Sequence, residues 1–331
     1  MIDWLRLRLP RVAEWDLPAG HLLRIDEDGN QIQDIILGTQ IPSFDTSIRV
    51  RPIDAEIEVS GNPSKFLQGH NLFGSSDLKS TVKRFLYRIE RLLGFKIFPN
   101  HSQKYCSIHE IHVSQLVDMD SEQNMRNFLL QLGRLGSTRH KRYSSYEGET
   151  VYLGKTKGKG CRASDLYYWR FYDKKKELLS HKKSRILNHW NIGSHLRAEL
   201  VLKRKHLYIL GLTTVQNWTE EKMDQIFLDH LDRIKVATCN VVGEQALPPV
   251  GMRSKDMPLW YLWFSGNDLR THYTKTTFYR LRANFLLLYG IDLGKPPYIS
   301  GENILDFGWH RLRSKNHWMQ PYNRQQWRKV G

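Results

Sequence analysis

Long hydrophobic runs are missing from this sequence. No stretch reaches the roughly 18 apolar residues that a membrane-spanning helix needs, and the acidic Asp3 among early arginines leaves no apolar segment typical of a secretory signal. Cysteine is also scarce, because the chain has only three, Cys106, Cys161 and Cys239. Their odd number and wide spacing predict neither a disulfide framework nor a zinc ribbon. We therefore expect three ordinary thiols in a protein that works in the cytoplasm.

Acidic residues are fewer than basic ones. The 34 Asp and Glu against 50 Lys and Arg give a formal net charge of +16. The basic residues are interleaved with 10 Trp, 15 Tyr and 13 Phe, whose rings can stack on unpaired bases while the cations hold phosphates. This composition favours a nucleic acid over a membrane surface as the partner.

The chain shows no internal repeat and no low-complexity segment. Its 331 residues leave room for two domains of ordinary size. Residues 1–215 alternate strand patterns with amphipathic helices, which predicts an α+β domain. The expected strands are at 4–9, 48–60, 107–113, 150–153, 168–173 and 195–202, and the expected helices are at 78–93 and 121–135. Residues 216–331 have helical patterns, many aromatics and a basic tail, which predicts a smaller helical domain.

Two helices joined by a tight turn are expected between residues 258 and 290. The last of them, from about residue 276 to 289, suits a helix-turn-helix whose final helix enters a major groove. The alternative is a helical domain whose basic face packs on the first domain. The DNA contacts predicted in this region are Lys275, Arg280 and Arg282.

A strand pattern at 107–113 brings a carboxylate and an imidazole together. With a two-residue period, Glu110 and His112 share one face of the strand and Ile111 and Val113 share the other. Such a pair is half of a metal site, although the spacing of the histidines is not that of the zinc-protease helix. The alternative is a half-exposed strand with polar residues facing solvent.

A second strand pattern, at 195–202, places Arg197 and Glu199 on one face. They could take part in a site with the first strand. A solvent-facing ion pair explains the pattern equally well.

A third strand pattern offers a nucleophile. Alternation places Arg170, Tyr172 and Lys174 on one face, so that a phenol lies between two cations. Cations beside a phenol favour its ionised form, which is the nucleophilic one. The alternative is a stacking aromatic in a basic strand. Tyr152 is the second candidate nucleophile, because it too precedes a basic segment.

That basic segment supplies further predicted DNA contacts, which are Lys155, Lys157, Lys159 and Arg162, with Arg170 beyond it. It is not expected to bind a nucleotide, although Gly-Lys-Thr stands at 154–156. Five residues separate Gly148 from Gly154 instead of four, and the interior reads as a strand. We therefore do not expect an ATPase.

The stretch at 57–78 carries the most specific signal. A short strand leads into Gly61-Asn62-Pro63, and a second loop sets Gly69, His70, Asn71 and Gly74 around Phe73. This stretch and the opening residues 1–10 closely resemble the replication initiators of filamentous phages, the family known from gene II and its internal-start product gene X. The resemblance implies an endonuclease that nicks one strand of the phage origin and later rejoins it. It also implies an antiparallel central sheet of the rolling-circle nickase type, followed by a helical domain.

The same resemblance implies roles for the candidate residues. Initiators of this type carry an Arg/His-x-acid strand, a Tyr-x-Lys strand and an Arg-x-Glu strand in this order. These fall here on Glu110, on Tyr172 with Lys174, and on Arg197 with Glu199. The chain departs from the commoner pattern because Glu110 replaces Asp and a histidine follows where a small polar residue is usual.

The implied mechanism is attack by Tyr172 on a plus-strand phosphate. Mg²⁺ or Mn²⁺ would be held by Glu110, His112 and Glu199, while Lys174 and Arg197 would stabilise the developing charge. The implied partners are the double- and single-stranded origin DNA of the phage replicative form, with a host helicase and polymerase, in the bacterial cytoplasm and without a membrane.

Two other function classes remain open. A non-catalytic origin-binding or repressor protein would use its basic faces to grip DNA and its tyrosines only to stack. An RNA-binding regulator would prefer single-stranded RNA and would not cleave it. Metal-dependent cleavage separates these classes, whereas salt dependence does not, because all of them release counterions.

Overall fold

The computed structural model describes residues 1–10, 20–99, 104–137, 142–144, 150–154, 164–181, 192–236, 240–242, 248–265, 267–295, 297–299 and 304–319. Its strands are β1 (Ile2–Pro10), β2 (Gly20–Ile25), β3 (Gln31–Ser43), β4 (Thr46–Ile53), β5 (Glu56–Gly61), β6 (Ser107–Asp118), β7 (Gly136–Ser137), β8 (Arg142–Ser144), β9 (Thr150–Leu153), β10 (Tyr167–Asp173), β11 (His195–Lys203), β12 (Lys235–Val236), β13 (Asn240–Val242) and β14 (Pro297–Ile299). Its helices are α1 (Pro63–Gln68), α2 (Leu78–Leu93), α3 (Glu122–Leu135), α4 (Lys174–Ser180), α5 (Arg204–Ile209), α6 (Glu220–Asp232), α7 (Met257–Phe264), α8 (Lys275–Tyr289) and α9 (Ile304–Arg313).

Ten of the strands form one sheet, in the spatial order β2-β3-β4-β5-β1-β6-β11-β10-β9-β8. All neighbouring strands in it are antiparallel. The prediction of an α+β fold with an antiparallel central sheet is therefore confirmed. The strands that carry the candidate site residues, β6, β11 and β10, lie next to one another in the sheet.

A large apolar core lies between the sheet and its helices. Leu7 of β1 and Ile111 of β6 are fully buried in it, together with Phe85 of α2, Phe128 of α3 and Phe227 of α6. The two-residue alternation of the strands directs their apolar side chains to the helices and leaves their polar side chains on the other face. That division of faces is what creates the site.

The last described helix returns to this same core. Trp309 and Leu312 of α9 and Trp318 just beyond it are buried there, and the ring of Trp309 meets that of Phe128 edge to face at 5.7 Å. Residues on both sides of the predicted domain boundary at 215/216 thus share one core. The boundary itself stays a prediction.

A smaller core joins α7 and α8, where Trp260 packs with Phe278 and Phe285. The side chain of Thr274 caps the start of α8, and Gly290, with a left-handed φ of 67°, ends it. The predicted helix at about 276–289 is thus confirmed. Its entry into a major groove stays a prediction.

Two elements differ from the sequence predictions. The strand expected at 48–60 is two strands, β4 and β5, because Asp54 turns the chain with a left-handed φ of 52°. The hairpin of β2 and β3 was not predicted at all.

Across the described ranges, no helix combines the length and apolarity needed to cross a bilayer.

Two buried histidines, one on α5 and one on α6, are in contact with each other. His206 of α5 and His230 of α6 are buried, and their Nε2 atoms lie 2.7 Å apart. The Nδ1–H of His230 donates to the carbonyl oxygen of Ile226 at 2.8 Å, so its Nε2 accepts from His206 when both rings are neutral. Burial, with smaller effects from neighbouring cations, lowers the pKa of His230 to about 4.

This pair predicts a loss of stability in mild acid. The unfolded chain takes up a proton at His230 near the ordinary pKa of about 6.5, whereas the folded chain does so only near 4, so stability falls as the pH drops through this window. Between pH 7 and 5 we expect this histidine to remove about 2 kcal/mol from the free energy of unfolding. Urea unfolding of wild type and His230→Gln at both pH values measures the difference.

The matched control for that measurement is His272→Gln, which changes an exposed histidine. It is expected to keep the full pH dependence of the wild type. An equal pH dependence in wild type and His230→Gln would contradict the account of the buried pair.

Candidate active site

The polar face of the central strands carries the candidate residues. β6 contributes Glu110, His112 and Ser114, and β11 contributes Arg197 and Glu199. In the pairing of β6 with β11, Glu199 lies opposite Ser114. The two-residue period therefore correctly predicted which side chains share this face.

The third strand, β10, adds the candidate nucleophile. Tyr172 lies opposite Arg197 and Arg170 lies opposite Glu199. The guanidinium carbon of Arg170 is 4.3 Å from the centre of the Tyr172 ring, and the Nζ of Lys174 is 5.9 Å from it. The phenol does lie between two cations, but Lys174 reaches it from the start of α4 rather than from the strand.

Tyr172 is nearly closed off from solvent. Its side chain is 3% exposed, and its hydroxyl donates a hydrogen bond of 2.6 Å to the Oε1 of Glu199. Burial and the charge of Glu199 raise the pKa of Tyr172 well above its ordinary value, although Arg197 and Arg170 act in the opposite direction. The arginines do favour the phenolate, as expected, but burial and Glu199 outweigh them, so the pKa is raised on balance. The phenol would have to lose its proton as it attacks.

Glu199 is the proton acceptor in contact with that phenol. Burial raises its pKa, and the neighbouring Asp3 raises it further, while Arg170 counteracts both. The Nη1 of Arg170 lies 3.6 Å from the Oε2 of Glu199. A carboxylate with a raised pKa is a stronger proton acceptor than an exposed one, so the geometry suits general-base chemistry.

Arg197 is wholly buried beneath the loop that follows α1. Its Nη1 donates to the Oγ of Ser114 at 3.0 Å, and its Nη2 donates to the carbonyl oxygens of Asn71 and Leu72. Its Nε finds no hydrogen-bond partner within the described ranges. A buried arginine with a spare donor suits an anion, such as a phosphate oxygen.

Lys174 is also wholly buried. Its Nζ donates to the Oδ1 of Asn71 at 3.1 Å and to the Oε2 of Glu177 at 2.6 Å. Burial and the nearby Arg197 lower the pKa of Lys174 to about 8. The ammonium is therefore mostly charged at neutral pH, as its predicted role requires.

Asp3 joins the site, although the strand patterns did not select it. Ile2 pairs with Val113 and Trp4 pairs with His112, so Asp3 is the extra residue of a β-bulge in β1. The carboxyl groups of Asp3 and Glu199 are neighbours, since each influences the pKa of the other. The bulge thus brings the carboxylate of Asp3 close to Glu199, the hydrogen-bond partner of Tyr172.

Two asparagines hold that second carboxylate. The Nδ2 of Asn62 and the Nδ2 of Asn71 donate to the same Oδ1 of Asp3, at 2.9 and 2.7 Å. Asn62 is also the N-cap of α1, because its Oδ1 accepts from the backbone nitrogen of Lys65. Both asparagines belong to the stretch that carries the family resemblance, so the resemblance could have pointed to them.

Glu110 and His112 lie further along the polar face. The Oε1 of Glu110 accepts from the Nζ of Lys203 at 2.7 Å and lies 3.1 Å from the Nε2 of His112. Glu110 is opposite Lys203, four residues along β11 from Glu199, which is about 13 Å of strand. The contacts thus unite Glu110 with His112 and place Glu199 with Asp3.

The fit of a divalent cation can be judged from these groups. Within the described ranges, no group of three or more His, Cys, Asp and Glu side chains is arranged to hold a metal ion. Mg²⁺, however, is commonly bound by one or two carboxylates with waters and substrate phosphates completing its shell. The adjoining carboxyl groups of Asp3 and Glu199 fit that mode, and the ligand set of Glu110, His112 and Glu199 stays a prediction.

The remaining predicted residues are separate from this centre. Lys155, Lys157, Lys159 and Arg162 lie outside the described residues. Tyr152 is half-buried on β9, with the guanidinium carbon of Arg170 at 6.0 Å from its ring centre. On α8, Lys275 and Arg280 are exposed, whereas Arg282 forms an ion pair with Asp292. Their contacts with DNA stay predictions.

Comparison with known proteins shows the family of this chain. A family model for the N-terminal part of the replication-associated gene II protein matches residues 1–221. The chain belongs to this family. The resemblance to filamentous-phage replication initiators is thereby confirmed, and the matched range spans every strand of the polar face.

One relative extends the similarity towards the carboxyl end. The replication-associated gene II protein of Enterobacteria phage I2-2 is 26% identical over 317 residues, which cover 88% of this chain and 88% of that protein. No solved structure matches the chain.

Proposed function

We propose that this gene II family protein initiates rolling-circle replication by nicking the plus strand of the double-stranded phage origin and later rejoins the displaced strand. Tyr172 is the nucleophile, Glu199 is its proton acceptor, and Lys174 and Arg197 stabilise the charge on the phosphate. Family membership supports the role in replication. The contact between Tyr172 and Glu199 supports the chemistry.

That contact is the observation that carries the proposal. A hydroxyl donating to a carboxylate at 2.6 Å is the arrangement in which a general base activates a nucleophile. The spare Nε donor of Arg197, which is orphaned within the described ranges, and the charge of Lys174 lie on the same side of the sheet. The nucleophile, its proton acceptor and the cations that attack on a phosphate needs therefore come from adjacent elements.

The proposed step is a transesterification. The Oη of Tyr172 forms a bond to the phosphorus while the bond from phosphorus to the 3′-oxygen breaks. Glu199 accepts the phenolic proton, and the released 3′-oxygen takes up a proton from water. The free 3′-OH can then prime synthesis by a host polymerase, and the phosphotyrosyl bond conserves the energy for rejoining, so no nucleotide cofactor is needed.

A divalent cation belongs to the same proposal. Bound Mg²⁺ or Mn²⁺ would polarise the scissile phosphate and favour attack. Glu199 would hold it. The sequence analysis expected His112 and Glu110 as further ligands. Lys203 and His112 already engage Glu110, so that part of the ligand set requires those contacts to change.

Origin DNA is the proposed partner of the polar face and of α8. Arg6 and Arg170, 43% and 36% exposed, are accessible cations on that face. The exposed Lys275 and Arg280 suit phosphate contacts from the smaller helical unit, in a helix-turn-helix or a simpler basic surface. A host helicase and polymerase complete the partners expected for this family.

A non-catalytic origin-binding or repressor protein is the second candidate function. The burial of Tyr172 favours it, because a nucleophile that is 3% exposed has to become accessible before it can attack DNA. In that case the contact with Glu199 would only stabilise the fold.

The proposed function is tested by incubating the full-length protein with supercoiled plasmid that carries the cognate phage intergenic region. Conversion to the open circle with Mn²⁺ or Mg²⁺, and not with chelator or with a plasmid that lacks the region, is the expected result. Tight, sequence-specific binding without nicking in either metal would instead support the second candidate.

A further inference from the structure

Asp3 occupies an unusual position for a carboxylate in a strand. Simple alternation would direct it to the apolar side with Leu5 and Leu7, where a charge is costly. The bulge between Ile2 and Trp4 turns it to the polar face instead. It is 7% exposed there, so the fold holds a charged group away from water.

The protein fixes this carboxylate with donors from two separate loops. Asn62 precedes α1 and Asn71 follows it, yet both amides donate to one oxygen of Asp3. Asn71 also accepts from Lys174 through its Oδ1, and its carbonyl oxygen accepts from Arg197. One asparagine thus connects Asp3 with both cations of the proposed site.

The other side of Asp3 faces Glu199. Each of these buried acids influences the pKa of the other, and Glu199 accepts from the Tyr172 hydroxyl, so the two carboxyl groups lie together near the phenol. Arg197 is the cation with the strongest effect on Asp3. Its Nε stays without a hydrogen-bond partner throughout the described ranges, so it is a donor that a phosphate oxygen would satisfy.

We propose that Asp3 is a ligand of the divalent cation together with Glu199, and that Asn62 and Asn71 are positioning residues that hold its carboxylate in place. This inference rests on the proposed function, because it assigns a ligand to the cation of that reaction. It changes the predicted ligand set, since Asp3 takes the place of Glu110.

The chemistry of the acid pair favours Mg²⁺ or Mn²⁺. Two carboxylate oxygens suit a hard cation that keeps several waters and completes its shell with a substrate phosphate. The same two oxygens would be too few for a closed structural zinc site, which takes four protein ligands, usually Cys and His. The site would therefore be complete only when DNA supplies the scissile phosphate.

The test measures Mn²⁺ binding directly, by the electron paramagnetic resonance signal of free Mn²⁺ in titrations of the full-length protein. Wild type, Asp3→Asn and Glu110→Gln are compared, with and without a single-stranded origin oligonucleotide. We expect Asp3→Asn to weaken Mn²⁺ binding by more than about tenfold and Glu110→Gln to leave it within about twofold.

Asp3→Asn is expected to fold, because the new amide keeps an acceptor for the two asparagines and gains a donor for Glu199. Glu58→Gln is the matched control. Glu58 is a buried carboxylate on β5 that pairs with Arg8 and Arg51, away from Glu199. The Glu58→Gln variant should bind Mn²⁺ as the wild type does.

The positioning role is tested with Asn62→Ser. Serine can still cap α1, but it lacks the amide that donates to Asp3. We expect the Mn²⁺ concentration for half-maximal nicking to rise by about tenfold, while the free energy of unfolding changes by less than about 1 kcal/mol. An unchanged Mn²⁺ requirement would show that Asn62 only caps the helix.

The outcomes separate this inference from the proposed function. Metal-dependent nicking by the wild type, with Mn²⁺ binding lost in Glu110→Gln and retained in Asp3→Asn, would overturn the inference alone. Mn²⁺ binding that depends on Asp3 in a protein that does not nick would support the site and reject the nickase. Absence of Mn²⁺ binding by the wild type, even with the oligonucleotide, would overturn the inference.

Discussion

Tyr172→Phe is expected to abolish nicking of origin DNA, with a loss on the order of 10⁴-fold or more, as is usual when a covalent nucleophile is removed. The ring remains, so its packing against Arg170 is kept. The hydroxyl that donates to Glu199 is lost. Rates are measured on supercoiled plasmid at saturating Mn²⁺.

Tyr152→Phe is the control for this prediction. Tyr152 lies one strand further out, on β9, opposite Arg170, and its replacement should leave nicking within a few-fold of wild type. Loss of nicking in Tyr152→Phe alone would identify Tyr152, on β9, as the nucleophile.

In urea unfolding, the free energy of unfolding of Tyr172→Phe should be about 1 to 2 kcal/mol lower than that of the wild type, because one buried hydrogen bond to a carboxylate is removed.

Arg197→Met is expected to lower the free energy of unfolding by about 3 to 5 kcal/mol. The side chain is wholly buried and donates to Ser114, Asn71 and Leu72. Methionine fills much of the space but supplies no donor, and the buried carboxylate of Asp3 loses its main compensating charge. Chemical denaturation in urea at neutral pH measures the change.

The matched control is Arg170→Met, which removes a guanidinium from the same face. Arg170 is 36% exposed and lies 3.6 Å from Glu199, so water replaces much of its interaction. We expect a loss of no more than about 1 kcal/mol. A similar stability of Arg197→Met and wild type would contradict the view that the buried cation compensates the acids.

The sequence was sufficient to predict the strands that carry the candidate site residues. Alternation correctly placed Arg170 with Tyr172 on one face of β10 and Arg197 with Glu199 on one face of β11, because regular strands obey a period of two. Their pairing across the sheet also follows, once two strands are known to be neighbours. The family resemblance gave only the order of the three motifs along the chain, and the structure shows that their strands are neighbours.

The position of Asp3 could not be read from alternation. A β-bulge adds one residue and reverses the faces on one side of it, and no residue type in β1 marks where the bulge lies. The two asparagines that hold Asp3 are in loops, where no period applies. The family-specific stretch at 57–78 contained the signal, but its physical meaning required the contacts of Asn62 and Asn71.

The packing of residues that are distant along the chain could not be predicted from the sequence either. The cluster of Leu72, Phe73, Leu116, Leu178 and Ile192 covers the end of the polar face near Arg197 and is assembled from distant segments. Trp309 and Trp318 join the first core from the far end of the chain. The apolar character of a residue predicts that it is buried, but it does not predict which residues it contacts.

The central claim is that Tyr172 becomes covalently linked to DNA, and one measurement tests it most directly. The protein is incubated with Mn²⁺ and a single-stranded oligonucleotide that spans the origin nick region, and the trapped adduct is digested and mapped by mass spectrometry. The account predicts a nucleotide attached to the peptide that contains Tyr172. An adduct on Tyr152, or cleavage of the oligonucleotide without any covalent adduct, would contradict it.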